Sequence, residues 1–390
     1  MLSSRLPRDL SPNRVSQVVA ARRAAGMPIV DLTTSNPTAA GFAYPDDLLA
    51  PLADTAALRY EPQALGLPAA RDAVAADYAR HGAAVDPARV AITASTSEAY
   101  ALLFKLLCDP GDQVLVPRPS YPLFEHLSSL EAIDAVPYRL EYHGTWRIDV
   151  ESVTRAVTPR TRALVVVSPN NPTGSWLHHD DLTALTGVCA TTGLALIGDE
   201  VFADYPLDPA PDRTSVLAQA EVLTCALGGL SKSAGLPQVK LGWIAWTGPA
   251  DLVATALHAY EIIADSYLSV STPVQVAAPK LLARADVVRA QIQARLRQNL
   301  RTLRALAAHW PSTTVLSVEG GWTAVVRVPA LQPEEDLIVS LVEEDGVLIH
   351  PGYFFDFDRE AYLVPSLLVE PASFEAGMAR ALARATGGRR

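Results

Sequence analysis

The chain has 390 residues, of which 49% are apolar and 19% charged, with 32 Lys+Arg against 42 Asp+Glu for a net charge of −10. This suits a folded protein and is too apolar for disorder, while the acidic balance and lack of a dense Lys/Arg stripe argue against a nucleic-acid partner. No run reaches the roughly 20 apolar residues of a membrane span, the N-terminus MLSSRLPRDLSPNRV has no signal-like apolar core, and Cys108, Cys189 and Cys225 lack any metal-ligand spacing, so a cytoplasmic, metal-free protein with buried thiols is expected.

In chain order, the first 45 residues read as an arm plus part of a small domain, because DLTTSNPTAAGFAYP is loop-like. A large domain is expected over 46–275. Within it short apolar runs alternate with helical stretches. VAIT (90–93), QVLVP (113–117), RALVVVS (162–168), LALIGD (194–199), VLTCAL (222–227) and KLGWIAW (240–246) read as strands. The segments 98–108, 121–130 and 180–192 between them read as helices. Continuous apolar runs predict strands buried on both faces, and the alternation predicts a mainly parallel sheet between helices. Residues 249–264 and 272–309 are helical by period, the second with arginines opposite its apolar stripe, which suits a solvated face. The tail mixes short strands (TAVVRVP, GVLIHP, AYLVPSLL) with a last helix, so 276–390 reads as a small α+β domain.

Ligands of an open parallel sheet gather at the carboxyl ends of its strands. Ser95-Thr96-Ser97 follows VAIT and opens a helix, where free amides and hydroxyls favour an anion; Ser95 and Glu98 also fit a plain capping box. SPNNPTG (168–174) is a turn by composition, yet its asparagines could grip a ligand oxygen. Asp199 ends a buried strand, where a carboxylate is costly without a partner, although a helix cap is the plainer role. Lys232 sits in GGLSKSAG among small residues, as a chain requires when something bulky lies against it. A lysine amine in a dry site loses its proton readily and attacks carbonyls. Asn171, Asp199 and Lys232 are about one βαβ crossover apart, so all can meet at one sheet edge. An aldehyde cofactor with a ring nitrogen and a phosphate satisfies the four positions, which describes pyridoxal 5′-phosphate (PLP).

YEPQALGLPAAR, TASTSEAY, PSYPLF, SPNNPTG, GDEVFADY and GGLSKSAGLPQVKLGW, in this order, resemble the class I/II aminotransferases, PLP enzymes of fold type I akin to aspartate aminotransferase. The resemblance implies an α/β fold in which a large domain with a mostly parallel seven-stranded sheet between helices joins a smaller α+β domain built from both termini. It implies an imine between PLP and Lys232, which then shuttles protons, and a pyridinium partner in Asp199. Asn171 would bond the ring's phenolic oxygen and Tyr121 would stack on the ring. Ser95, Thr96, Ser97 and Ser231 would hold the phosphate, and Tyr60 would reach the phosphate of a second subunit in a homodimer. Asn36 and Arg359 are the candidates for substrate contact.

The chain departs from the family pattern at four places. Phe202 replaces a tyrosine whose phenol would bond the ring oxygen. The imine is therefore expected to titrate at higher pH than in tyrosine-bearing relatives, which the visible spectrum against pH would report. Lys240 replaces an arginine on the phosphate, losing its bidentate fork. Gly229 stands where many relatives carry serine. Val364 occupies the usual place of the arginine that clamps the substrate carboxylate, and Arg359 substitutes only if its loop bends inward. The expected reaction moves an amino group between an amino acid and a 2-oxo acid. A PLP-dependent β-lyase and a non-catalytic PLP-binding regulator are the alternatives.

Overall fold

A computed structural model describes residues 3–387 except position 8. Its centre is an eight-stranded sheet: β1 (Val90–Thr93), β2 (Gln113–Arg118), β3 (Asp134–Tyr142), β4 (Trp146–Ile148), β5 (Thr161–Val167), β6 (Ala195–Asp199), β7 (Thr224–Gly229) and β8 (Gly242–Thr247). The spatial order is β1-β8-β7-β6-β5-β2-β3-β4. Pairing is parallel from β3 through β2, β5 and β6 to β7. β8 runs antiparallel between β7 and β1, and β4 antiparallel on β3.

The expected seven parallel-sheet strands thus gain an eighth, the short hairpin strand β4. Neither β3 nor β4 was predicted, because β3 mixes exposed and buried positions at the sheet's edge and shows no continuous apolar run. The central strands are covered on both faces. In β5, Ala163 and Val165 join one apolar cluster while Leu164 and Val166 join another; in β6, Ala195 and Ile197 face the first and Leu196 the second. Asp199 continues the alternation of Ala195 and Ile197, so it leaves the sheet on the first cluster's side. That side is covered by helix α1 (Thr96–Leu107), which contributes Tyr100, Leu103 and Phe104.

A four-stranded antiparallel sheet lies against the other cluster: β9 (Thr314–Val315), β10 (Val326–Arg327), β11 (His350–Pro351) and β12 (Tyr362–Val364), ordered β9-β10-β12-β11. β9 matches no expected strand; β10, β11 and β12 are shorter than the apolar runs that predicted them, and GVLIHP is divided, since Val347–Leu348 pairs instead with Val30–Asp31. The helical stretch 272–309 is likewise two helices, Thr272–Ala283 and Asp286–Ala307. Among the described residues no helix is long and apolar enough to cross a membrane. The three cysteines are free, and burial pushes the Cys108 and Cys189 thiols up to about 12.

Candidate active site

The parallel strands and β1 end on one edge of the large sheet, and there the sequence-predicted residues collect. α1 begins on that edge because Ser95 caps it: its Oγ accepts from the Glu98 amide at 3.1 Å. The Glu98 carboxylate returns to the Ala94 amide at 2.6 Å and accepts the Ser269 hydroxyl at 2.8 Å. Such a cap stabilises a helix by about 1 kcal/mol, so the capping role of Ser95 is real. It also leaves the first-turn amides of Thr96 and Ser97 without intrahelical acceptors. A methyl group on Gly242 would lie 2.9 Å from the Ser95 carbonyl carbon and 3.1 Å from the Thr96 nitrogen, so only glycine admits α1 this close to β8. Gly242 pairs with Gly229, and two residues beyond Gly229 comes Ser231 in the short helix α2 (Leu230–Ser233).

Lys232 follows in α2. The Tyr205 hydroxyl donates to its carbonyl oxygen at 2.5 Å. Its Nζ lies 4.8 Å from the centre of the Trp322 ring and 5.6 Å from that of Phe202. Phe202 and Tyr205 both meet Trp322 edge-on, closing an aromatic wall around the amine. Desolvation holds the Lys232 ammonium below its ordinary pKa, and the nearby Asp199 only partly opposes this. The Asp199 carboxyl shows the reverse. Burial lifts it to about 6, against the lowering effects of the Val201 amide (3.3 Å), the Tyr100 hydroxyl (3.1 Å) and Lys232. An amine whose proton is loosened and a carboxyl whose titration is raised therefore lie within electrostatic reach of each other.

The two consecutive asparagines divide their work. Asn170 is buried and stabilises its own turn, accepting from the Thr173 amide at 3.3 Å and hydroxyl at 3.0 Å. Asn171 stays partly exposed, with its Oδ1 3.5 Å from the Thr323 hydroxyl, next to Trp322. Gly174 closes the turn at φ +70°, where a side chain would meet the Gly320 carbonyl at 2.7 Å. Thr323 bridges Ser366, whose hydroxyl donates to the Thr34 carbonyl at 2.5 Å, so the loop carrying Asn36 reaches the same corner. Asn36 itself is exposed and caps a short turn, its Oδ1 accepting from the Thr38 amide at 3.0 Å.

Other predicted residues stand at the margin or away from it. Tyr121 is 45% exposed and touches Phe354 edge-on. Lys240 is exposed, in a left-handed turn at φ +60°. Tyr60, 71% exposed, shares a surface groove with Tyr267 and Leu268. Arg359 is exposed and lines a different cleft, beside Arg139, Tyr142 and Trp146 on the outer hairpin. Val364 is fully buried among Leu316, Val325 and Phe355, and faces His350 across the ladder. Sequence reasoning missed Tyr100, Tyr205 and Trp322. Tyr100 sits on the apolar face of α1 one turn before Phe104 and so reads as core, although a buried phenol needs a partner.

The comparisons with known proteins converge on one family. A profile for aminotransferase class I and II matches residues 33–372. The chain belongs to that family. An alanine aminotransferase of Mycobacterium tuberculosis is 27% identical over 367 residues, covering 90% of this chain and 83% of the relative. The solved alanine aminotransferase from Pyrococcus furiosus superposes with a TM-score of 0.88 at 23% identity, covering 97% of this chain and 98% of that one. The N-succinyldiaminopimelate aminotransferase from M. tuberculosis gives a TM-score of 0.82 at 26% identity, covering 99% and 100%. The expected fold is thereby borne out, and so is the activity: this aminotransferase is a PLP-dependent enzyme that moves an amino group between an amino acid and a 2-oxo acid. The comparisons favour neither the lyase nor the regulator.

The residues present fit PLP. The first turn of α1 and the hydroxyls of Ser95, Ser97 and Ser231 could supply donors to a phosphate, and Gly242 lets β8 lie close against the Ser95–Thr96 backbone. A low-pKa amine and a sheltered carboxylate suit its aldehyde and its ring nitrogen.

Proposed function

We propose that Lys232 and Asp199 are the catalytic residues of this aminotransferase. The observation that carries this is their convergence at the carboxyl ends of β6 and β7, with pKa values displaced toward one another. Thr96, Ser97, Ser95 and Ser231 would hold the phosphate, with Lys240 adding charge. Asn171 would hold the phenolic oxygen, while Tyr121 and Phe202 would flank the ring. PLP when bound supplies a carbonyl that takes the amino group and a ring that accepts the electrons left by the substrate's α-proton.

The chain's own residues do the rest. Asp199, when ionised, would favour a proton on the ring nitrogen of bound PLP. Lys232, whose ammonium desolvation makes easier to deprotonate, would take at Nζ the proton that leaves the substrate carbon and later give it back. The Tyr205 hydroxyl fixes the backbone from which that amine swings. Trp322 and Phe202 exclude water from the amine's side of the site.

For recognition, the Asn36 loop and the Trp322–Thr323 segment border the substrate position, and Arg359 is left as a surface residue. The relatives' names make L-alanine and L-glutamate the first donors to examine. We also propose a cytoplasmic homodimer in which Tyr60 completes the neighbouring site. Exposed Tyr60, Leu58 and Tyr267 support it, being large apolar side chains that a second copy would cover. Mixing PLP-loaded enzyme with one equivalent of L-alanine should bleach the visible cofactor band and yield one pyruvate per site. Ammonia release with the band retained would contradict transamination.

A further inference from the structure

Asp199 is held by a donor that no part of the established activity requires. The Tyr100 hydroxyl donates to its Oδ2 at 3.1 Å, and Oδ1 takes only the Val201 amide, at 3.3 Å. Tyr100 is 1% exposed, so its hydroxyl meets the carboxylate away from bulk water. Its ring is fixed by Phe104, 5.8 Å away and tilted, and by Phe124, 5.4 Å away and edge-on. The helix adds a second constraint. Tyr100 lies four residues after Thr96, one turn along the same face, so α1 bears both the amides of its first turn and the phenol that meets the acid. The spacing between the two groups is set by a rigid element rather than a loop.

We propose that Tyr100 is a positioning residue: its hydroxyl aims the Asp199 carboxylate toward the ring nitrogen of bound PLP while itself touching neither cofactor nor substrate. This rests on the reading of Asp199 given above. The groups facing the carboxylate are Tyr100 from α1, Lys232 from α2 and the Val201 amide of its own segment, with Tyr78 and Glu200 within electrostatic reach. Glu200 points the other way, to the Ser215 hydroxyl and Val216 amide, both at 2.8 Å. Among the described residues Tyr100 is thus the one neutral side-chain donor on Asp199, and its loss leaves that acceptor short of a partner. A donor to the ionised form favours ionisation, so removing it moves the Asp199 titration to higher pH.

A double-mutant cycle on PLP dissociation from the full-length enzyme tests this, using Tyr100→Phe, Asp199→Asn and both together. Tyr100→Phe keeps the ring packing. It should weaken PLP about tenfold at pH 7.5 and move the acid limb of PLP affinity to higher pH. In the Asp199→Asn background the same change should cost less than about twofold, because the partner is gone. A fluorinated tyrosine at position 100, a more acidic donor, should move the acid limb the opposite way, which a packing role would not do. An equal loss in both backgrounds, or no loss in either, overturns the proposal. If Asp199→Asn binds PLP as well as the wild type, the reading of Asp199 itself fails, and that result is distinct from a missing coupling to Tyr100.

Discussion

The two sheets bring different things to the site. At the end of the large sheet, Ser95–Ser97, Asn171, Asp199 and Lys232 each follow a strand of four to seven residues that is covered on both faces. On the four-stranded sheet, the usual place of the carboxylate-clamping arginine is held by the apolar Val364. That sheet's strands are two or three residues long, Val364 is buried among apolar neighbours, and Trp322 arrives from a loop before β10. The difference teaches a division of labour. Chemistry is anchored where the backbone is most constrained, and recognition is built from segments that small changes in length can reshape.

The largest effect is expected where the large sheet carries the reaction. Lys232→Ala should lower kcat by about 10³-fold or more, since it removes the proton carrier; single-turnover kinetics would measure this. A variant retaining near-normal turnover would break the division at its strongest point. Asp199→Asn should cost about 10²-fold in kcat/KM, measured by steady-state kinetics.

The same variant has a stability signature in the cofactor-free protein. Folding raises the Asp199 pKa, so the folded state binds more protons than the unfolded state between the ordinary carboxylate pKa and about 6. The carboxylate therefore destabilises the cofactor-free fold progressively as pH rises through that window, by roughly 3 kcal/mol once ionised. Cofactor-free Asp199→Asn should accordingly unfold at higher denaturant than the wild type at pH 8 and at similar denaturant at pH 4.

Gly242→Ala sharpens the comparison from the side of the cradle. Its methyl would press the Ser95 and Thr96 backbone at 2.9–3.1 Å, and displacement on that scale should weaken PLP about tenfold, read by equilibrium dialysis, with little change in kcat at saturation. The smallest effect is assigned to Arg359→Ala, which should leave KM for amino donor and oxo acid within about twofold, as expected of an exposed side chain remote from Lys232. A large rise in KM would return the small-sheet side to a charged role.

The sequence was most readable where the structure is most constrained. β5, β6 and β7 showed as continuous apolar runs because both their faces are buried, and their ends carried Asn171, Asp199 and Lys232 into one place. β3 escaped notice because its exposed positions break the run, and β9 because two paired residues leave no period to read. Tyr100 was hidden for another reason: on a helix face a phenol that serves a carboxylate looks the same as one that fills a core. Trp322 was invisible because it reaches Lys232 from the segment before β10, and Tyr205 because its bond to Lys232 joins the loops after β6 and β7, which no local pattern encodes.

The central claim is that Lys232 is the amine that holds PLP. Borohydride reduction of the PLP-loaded enzyme, followed by peptide mass spectrometry, tests it in one step. The account predicts a single phosphopyridoxyl group on Lys232, lost in Lys232→Ala. Modification of Lys240 or any other lysine in place of Lys232, or a protein that takes up no PLP, would contradict it.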